Sequence, residues 1–153
     1  MCQTPVVRLP TEQIGKRYAP VLYAVGREKV REYAIAVGEG NSLHLEVAAA
    51  RAAGYTDLLA PPMFAVVYCA AAFQAALFDP ELQLDFAHLV HGAQAFHWQA
   101  PVVAGDEITT TLTVDDISIR AGLRFDSFAT VSVNQRGETT CLGTWSTIVR
   151  GAG

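Results

Sequence analysis

Residues 58–78 read LLAPPMFAVVYCAAAFQAALF, 21 positions in a row without a charge. A bilayer asks for about 20 such residues. This run, however, opens on Ala60-Pro61-Pro62, closes at Phe78-Asp79-Pro80 and is rich in alanine rather than leucine and isoleucine. Proline suits the first turn of a helix, where its missing N–H costs nothing. Only about 16 residues remain after Pro62. The stretch therefore predicts a buried central helix, from Pro62 to about Phe78, in a protein that does not span a membrane.

On the N-terminal side, Val30, Tyr33, Ala34 and Val37 recur at helical spacing, predicting a short helix over 27–37 that Gly38 and Gly40 stop. The alanine-rich run 46–53 predicts a second helix, ended by Gly54. Residues 1–25 carry little pattern beyond a short strand at Tyr23–Val25, and 1–14 read as an irregular N-terminal segment. On the C-terminal side the period changes to two. Ile108, Thr110, Leu112 and Val114 alternate with their neighbours, as do Phe125, Ser127, Ala129, Val131 and Val133. Ala104-Gly105-Asp106, Ala121-Gly122 and Asn134-Gln-Arg-Gly137 are turn signals, Thr140–Val149 a last strand, and His88–Gln99 a further one. Helices followed by an antiparallel meander predict an α+β layered domain spanning residues 1–153, without repeats or linkers.

Composition narrows the function. Of 153 residues, 51% are hydrophobic and 17% charged, and the net charge is −4. Mean hydropathy is +0.23 and the pI about 5.5. Such a chain has apolar surface enough for a core, and its acidic balance argues against nucleic acid as a partner. Cys2, Cys69 and Cys141 are odd in number and scattered, which suits a reducing cytoplasm better than a disulfide framework. The first twenty residues hold no apolar core of signal-peptide length, so a cytoplasmic location is expected.

Candidate sites are few. His88, His91 and His97 suggest a metal, but period-two geometry puts His91 and His97 on one strand face and His88 on the other, and no Cys-x-x-Cys or His-Glu-x-x-His accompanies them. No metal and no cofactor are expected. Gly38-Glu39-Gly40 lacks the βαβ setting of a dinucleotide site, no Gly-x-Ser-x-Gly is present, and Cys69 among alanines reads as a buried thiol. The cluster that carries chemistry is Glu39-Gly40-Asn41-Ser42-Leu43-His44. A carboxylate and an imidazole sharing a water can move a proton in each direction. The same six residues also suit an interhelix turn, with Asn41 as cap and Glu39 and His44 solvated.

Several ordered segments make the chain similar to a known family. They are Val25-Gly-Arg-Glu-Lys-Val-Arg-Glu-Tyr-Ala34, the Glu39–His44 loop, Ala52-Ala-Gly-Tyr55, Leu59-Ala-Pro-Pro-Met-Phe64, His91-Gly-Ala-Gln-Ala-Phe96 and Pro101-Val-Val-Ala-Gly-Asp106. Together they resemble the MaoC-like dehydratases, in particular the N-terminal-type domain that also occurs as HadA-like subunits. The resemblance covers roughly 15–150. It implies a hot-dog fold, in which an antiparallel sheet wraps a long helix, paired into a homodimer or a heterodimer with another hot-dog subunit. It also implies a lyase that interconverts (3R)-3-hydroxyacyl and trans-2-enoyl thioesters of coenzyme A or acyl carrier protein, in fatty-acid or polyketide metabolism.

The family loop Asp-x-Asn-x-x-His falls on Glu39, Asn41 and His44, with glutamate in place of aspartate. The glycine N–H that active members offer the thioester carbonyl falls on Pro62, which has none. Met63 N–H is the next donor in line, and His91-Gly92 matches a family motif as a substrate contact or a structural element. Two other readings remain: a non-catalytic acyl-binding subunit beside an active partner, and a thioesterase or conjugate-addition enzyme on the same fold. Lys16, Arg17, Lys29, Arg31 and Arg51 stand as surface charges able to meet a carrier's phosphate.

Overall fold

The computed structural model describes residues 9–150. Five antiparallel strands form one sheet: β1 (Val21–Ala24), β2 (Leu89–Trp98), β3 (Glu107–Arg120), β4 (Leu123–Asn134) and β5 (Thr139–Val149), in the order β1-β3-β4-β5-β2. Four helices precede or interrupt them: α1 (Arg27–Ala36), α2 (Ser42–Leu45), α3 (Val47–Ala52) and α4 (Ala65–Leu77). This is the α+β hot-dog arrangement, with α4 lying against the concave face of the sheet.

The predicted central helix is present with one refinement. Pro62–Phe64 forms a 3₁₀ turn, and α4 proper begins at Ala65. Phe64, Ala65, Tyr68, Cys69, Ala72, Phe73 and Ala76 face inward and meet Ile108, Leu112, Val114, Phe128 and Trp145 from the sheet in one core. Among the described residues no helix is long and apolar enough to cross a membrane. The β3–β4 hairpin closes on Ala121-Gly122, both with positive φ (51° and 75°), the two-residue geometry whose twist matches its strands.

Two strands begin or end elsewhere than the pattern predicts. The first occupies Val21–Ala24, and Val25 instead exchanges backbone bonds with the 105–106 turn. The second starts at Leu89, because Asp85 caps a 3₁₀ turn over Phe86–His88. A β-bulge at Gly92 also interrupts its pairing: His91 lies opposite Thr147, while Ala93 already lies opposite Ser146. One extra residue inverts the alternation. His91 therefore turns toward α4, its ring 5.9 Å from that of Trp145, and shares no face with His97, contrary to the period-two expectation. His97 lies on the outer face with Ala129, Val131 and Leu142. His88 sits outside the strand, its Nδ1 2.7 Å from the Asp85 carboxylate. A Cβ at Gly92 would meet Ile148 side-chain atoms at 3.0 Å, which accounts for glycine at the bulge.

Candidate functional site

Helix α1 ends in a way that aims the next residues. Gly38 adopts φ 74°, its N–H reaches Ile35 O, and Glu39 N–H reaches back to Ala34 O. This paired closure is the Schellman motif. It sends the chain sharply away at Glu39, whose Oε1 accepts the Asn41 N–H at 3.0 Å. Asn41 in turn is an N-cap: its side-chain oxygen accepts the Leu43 N–H at 3.0 Å. The capped segment is the single turn α2, which the sequence pattern reads as loop.

That turn carries His44 inward. The ring is only 5% exposed, so the solvated histidine of the interhelix-turn reading is not what forms, while the Asn41 cap of that reading is. His44 Nδ1 lies 2.7 Å from the Leu59 carbonyl oxygen. A carbonyl only accepts, so Nδ1 carries the proton and donates it, and in the neutral ring Nε2 keeps its lone pair. Leu59 N–H donates to Leu43 O at 3.0 Å. Leu59 is therefore clamped to α2 from both sides, and through its antiparallel bridge to Val103 it is tied to the approach to β3. The clamp fixes His44 beside the segment that leads into Pro61-Pro62 and α4.

A cleft of about 170 Å³ opens along that segment, lined among others by Tyr55, Leu59, Pro62, Tyr68 and Trp98. Trp98 reaches from β2 and donates its indole N–H to Pro62 O at 2.7 Å. The Tyr68 hydroxyl is held neutral, because burial drives its pKa far above the ordinary phenol value. Sequence reasoning missed Tyr68 and Trp98. One sat unremarked in an apolar helix and the other at a strand end, and only the docking of β2 beside the helix N-terminus brings them together.

Glu39 and Asn41 thus meet directly, and His44 stands one helical turn on. No hydrogen bond joins either of them to the His44 ring among the described residues. Met63 N–H donates to no described partner, and its carbonyl accepts the Tyr33 hydroxyl at 3.1 Å. The Met63 side chain is 41% exposed and lies outside the cleft lining. Gly92 lies at the bulge, also apart from this cleft. Most surface cations are already paired: Lys16 with Asp79 and Glu81, Lys29 with Glu32, Arg31 with Glu28. Arg27 holds the Asp57 carboxyl at a pKa of about 2. The Cys69 thiol, buried against Ser132, is pushed up by burial, as an inert core thiol should be. Among the described residues no cluster of three potential metal ligands occurs.

The fold, with the comparisons that follow, is that of a hot-dog protein of the dehydratase class. The family model for a FAS1-like dehydratase domain region matches residues 12–142, and the chain belongs to this MaoC-like dehydratase family. It is 42% identical over 146 residues to a UPF0336 protein of Saccharopolyspora erythraea, covering 94% of both chains. It is 43% identical over 129 residues to a UPF0336 protein of Clavibacter michiganensis, covering 84% and 87%. Among solved structures, a MaoC-like dehydratase superposes with TM-score 0.83 at 26% identity, covering 92% of this chain but only 43% of that one. The C-terminally truncated HadBC (3R-hydroxyacyl-ACP dehydratase) complex of Mycobacterium tuberculosis superposes with TM-score 0.80 at 25% identity, covering 92% and 99%.

Proposed function

We propose that the chain is a hydro-lyase that interconverts (3R)-3-hydroxyacyl and trans-2-enoyl thioesters, with Glu39 and His44 as its proton-transfer pair. The carrying observation is the buried His44 ring, whose Nδ1–H is committed to the Leu59 carbonyl. That bond leaves Nε2 as an oriented base, the tautomer a proton abstraction requires. In the dehydration direction Nε2 takes a proton from C2, and a protonated Glu39 gives its proton to the hydroxyl leaving C3 as water. Hydration runs the same transfers backwards. Asn41 holds the loop by capping α2, and Met63 N–H is the available donor at the helix start for the thioester carbonyl. Hydration of crotonyl-CoA and of a longer trans-2-enoyl-CoA by the purified chain, followed as loss of enoyl absorbance, tests the reading. Turnover abolished in both His44→Ala and Glu39→Gln supports it, and undiminished turnover in either variant overturns it.

A second reading has observations of its own: a non-catalytic acyl-binding subunit. Glu39 Oε1 and the Asn41 side-chain Oδ1 are both engaged in turn geometry, accepting the Asn41 and Leu43 N–H groups, and Pro62 offers no N–H. Relatives of this fold have been solved as HadBC and ChsH1–ChsH2 complexes, which fits assembly with a second hot-dog chain. Under this reading the chain alone is silent, and activity appears only when a partner with an intact Asp-x-Asn-x-x-His loop is added.

A further inference from the structure

The turn that opens α4 has one backbone donor left over. Pro62 carries no N–H. Phe64 N–H is taken by Pro61 O at 2.8 Å, and Ala65 N–H by Pro62 O. Met63 N–H alone reaches no acceptor among the described residues, an orphan of the kind a helix start leaves. Both peptide planes that flank Met63 are nonetheless held by side chains from elsewhere in the fold. Trp98, at the end of β2, donates its indole N–H to Pro62 O at 2.7 Å. Tyr33, on α1, donates its hydroxyl to Met63 O at 3.1 Å. Each aromatic is itself anchored. The Trp98 ring centroid lies 6.2 Å from that of Phe96, which in turn lies 5.2 Å from that of Trp145. The Tyr33 ring meets buried Phe64 edge-on at 5.4 Å.

We infer that Trp98 and Tyr33 are positioning residues, which hold Met63 N–H ready for the carbonyl oxygen of the thioester. The assignment rests on the proposed reaction and extends it to two side chains outside the Glu39–His44 loop. Pro62 O and Met63 N–H belong to one peptide group, which is trans, so its carbonyl and its N–H point in opposite directions. Anchoring the oxygen to β2 turns the N–H away from Trp98 and back along the helix axis, toward the Leu59–Pro61 segment beside which His44 is clamped. A hydrogen bond accepted at the oxygen also polarises the same peptide and strengthens its N–H as a donor. Tyr33 fixes the next plane, so rotation of the turn about Met63 is opposed from both sides. Pro62 withholds one donor, and the two aromatics set the orientation of the next before substrate arrives. Such preorganisation is the condition under which a donor lowers a barrier.

Trp98→Phe and Tyr33→Phe delete the two side-chain donors and keep an aromatic ring at each position. Butyryl-CoA labelled with carbon-13 at its carbonyl is a saturated thioester that cannot be hydrated. It is bound to the intact protein, and its carbonyl stretch is read by isotope-edited infrared difference spectroscopy. A hydrogen bond to the oxygen lowers that stretch. The parent is expected to lower it, and each variant should lose most of the lowering. In the crotonyl-CoA assay each variant should lose roughly tenfold to a hundredfold in kcat, with KM within about threefold of the parent. Because both side chains act through one N–H, the double variant should lose little more than the worse single one, whereas two independent losses would multiply. An unshifted stretch in the parent, a shift that survives either substitution, or losses in kcat that multiply overturns the proposal. A protein that shows the Trp98-dependent shift but hydrates no crotonyl-CoA keeps the positioning and loses the reaction. One whose kcat is unchanged in both variants keeps the reaction and loses the positioning.

Discussion

Replacing Arg124 by methionine leaves the buried Asp126 carboxylate without its ion-pair partner. Arg124 donates Nε and Nη2 to Asp126 Oδ1, at 3.0 and 2.8 Å. It also donates to the carbonyls of Gln83 and Leu82, at 3.1 and 2.8 Å. The pair therefore ties β4 to the chain that leaves α4. With Asp126 1% exposed, removing the guanidinium strands a carboxylate with neither oxygen paired, a loss of about 3–5 kcal/mol. At a urea m-value of about 2 kcal/mol/M, the denaturation midpoint falls by roughly 2 M.

The loss depends on pH with a definite sign. Burial pushes the Asp126 carboxyl above its ordinary value, against the pull of Arg124. A raised folded pKa means the native state holds a proton that the unfolded state has released. Stability is then complete below the unfolded value and declines as pH rises through the folded one. Without Arg124 the folded value climbs further, so the variant's deficit is largest near neutrality and narrows on acidification. Urea titrations at pH 7.5 and pH 5 measure it. Arg124→Met combined with Asp126→Leu should recover to within about 1 kcal/mol of the parent, because an apolar pair of similar bulk replaces the ion pair. A deficit under 1 kcal/mol for the single variant, or one that does not change with pH, refutes the reasoning.

Three further perturbations probe the site and its supports. Asn41→Asp keeps the side-chain oxygen that caps α2 and should leave stability unchanged, whereas Asn41→Ala should cost about 1 kcal/mol in thermal denaturation; equal losses would mean that the amide nitrogen, not the cap, matters. His44→Gln, read in the crotonyl-CoA assay, should lower the rate by about 10²–10⁴ while far-UV circular dichroism stays native, and a rate within threefold of the parent would remove His44 from the chemistry. Gly143→Ala should destabilise by about 1–3 kcal/mol, since its Cβ would collide with Thr130 Oγ1 and crowd Trp145 and Phe96 and break the 3.0 Å bond from the Trp145 indole to Thr130; an unshifted melting curve would contradict that packing.

Local pattern determined much of this molecule. The apolar run with two prolines at its head specified the central helix, because burial and the missing proline N–H are properties of that segment alone. Period two specified β3 to β5, and Gly38 the end of α1, since each depends on residues within one turn or one strand. The Glu39-x-Asn41-x-x-His44 loop was legible as a candidate in the same way. What the loop does with those residues was decided at a distance. His44 became a buried, oriented imidazole because Leu59, fifteen positions on, was clamped beside it by a bridge to Val103. His91 changed faces because one unpaired glycine shifted a register, and register is set by the partner strand rather than by a strand's own composition. The row of Asp126, Thr147 and His91 across β4, β5 and β2 exists in no local window. It comes from three strands aligning, which buries Asp126 and Thr147 and leaves His91 exposed on the edge strand.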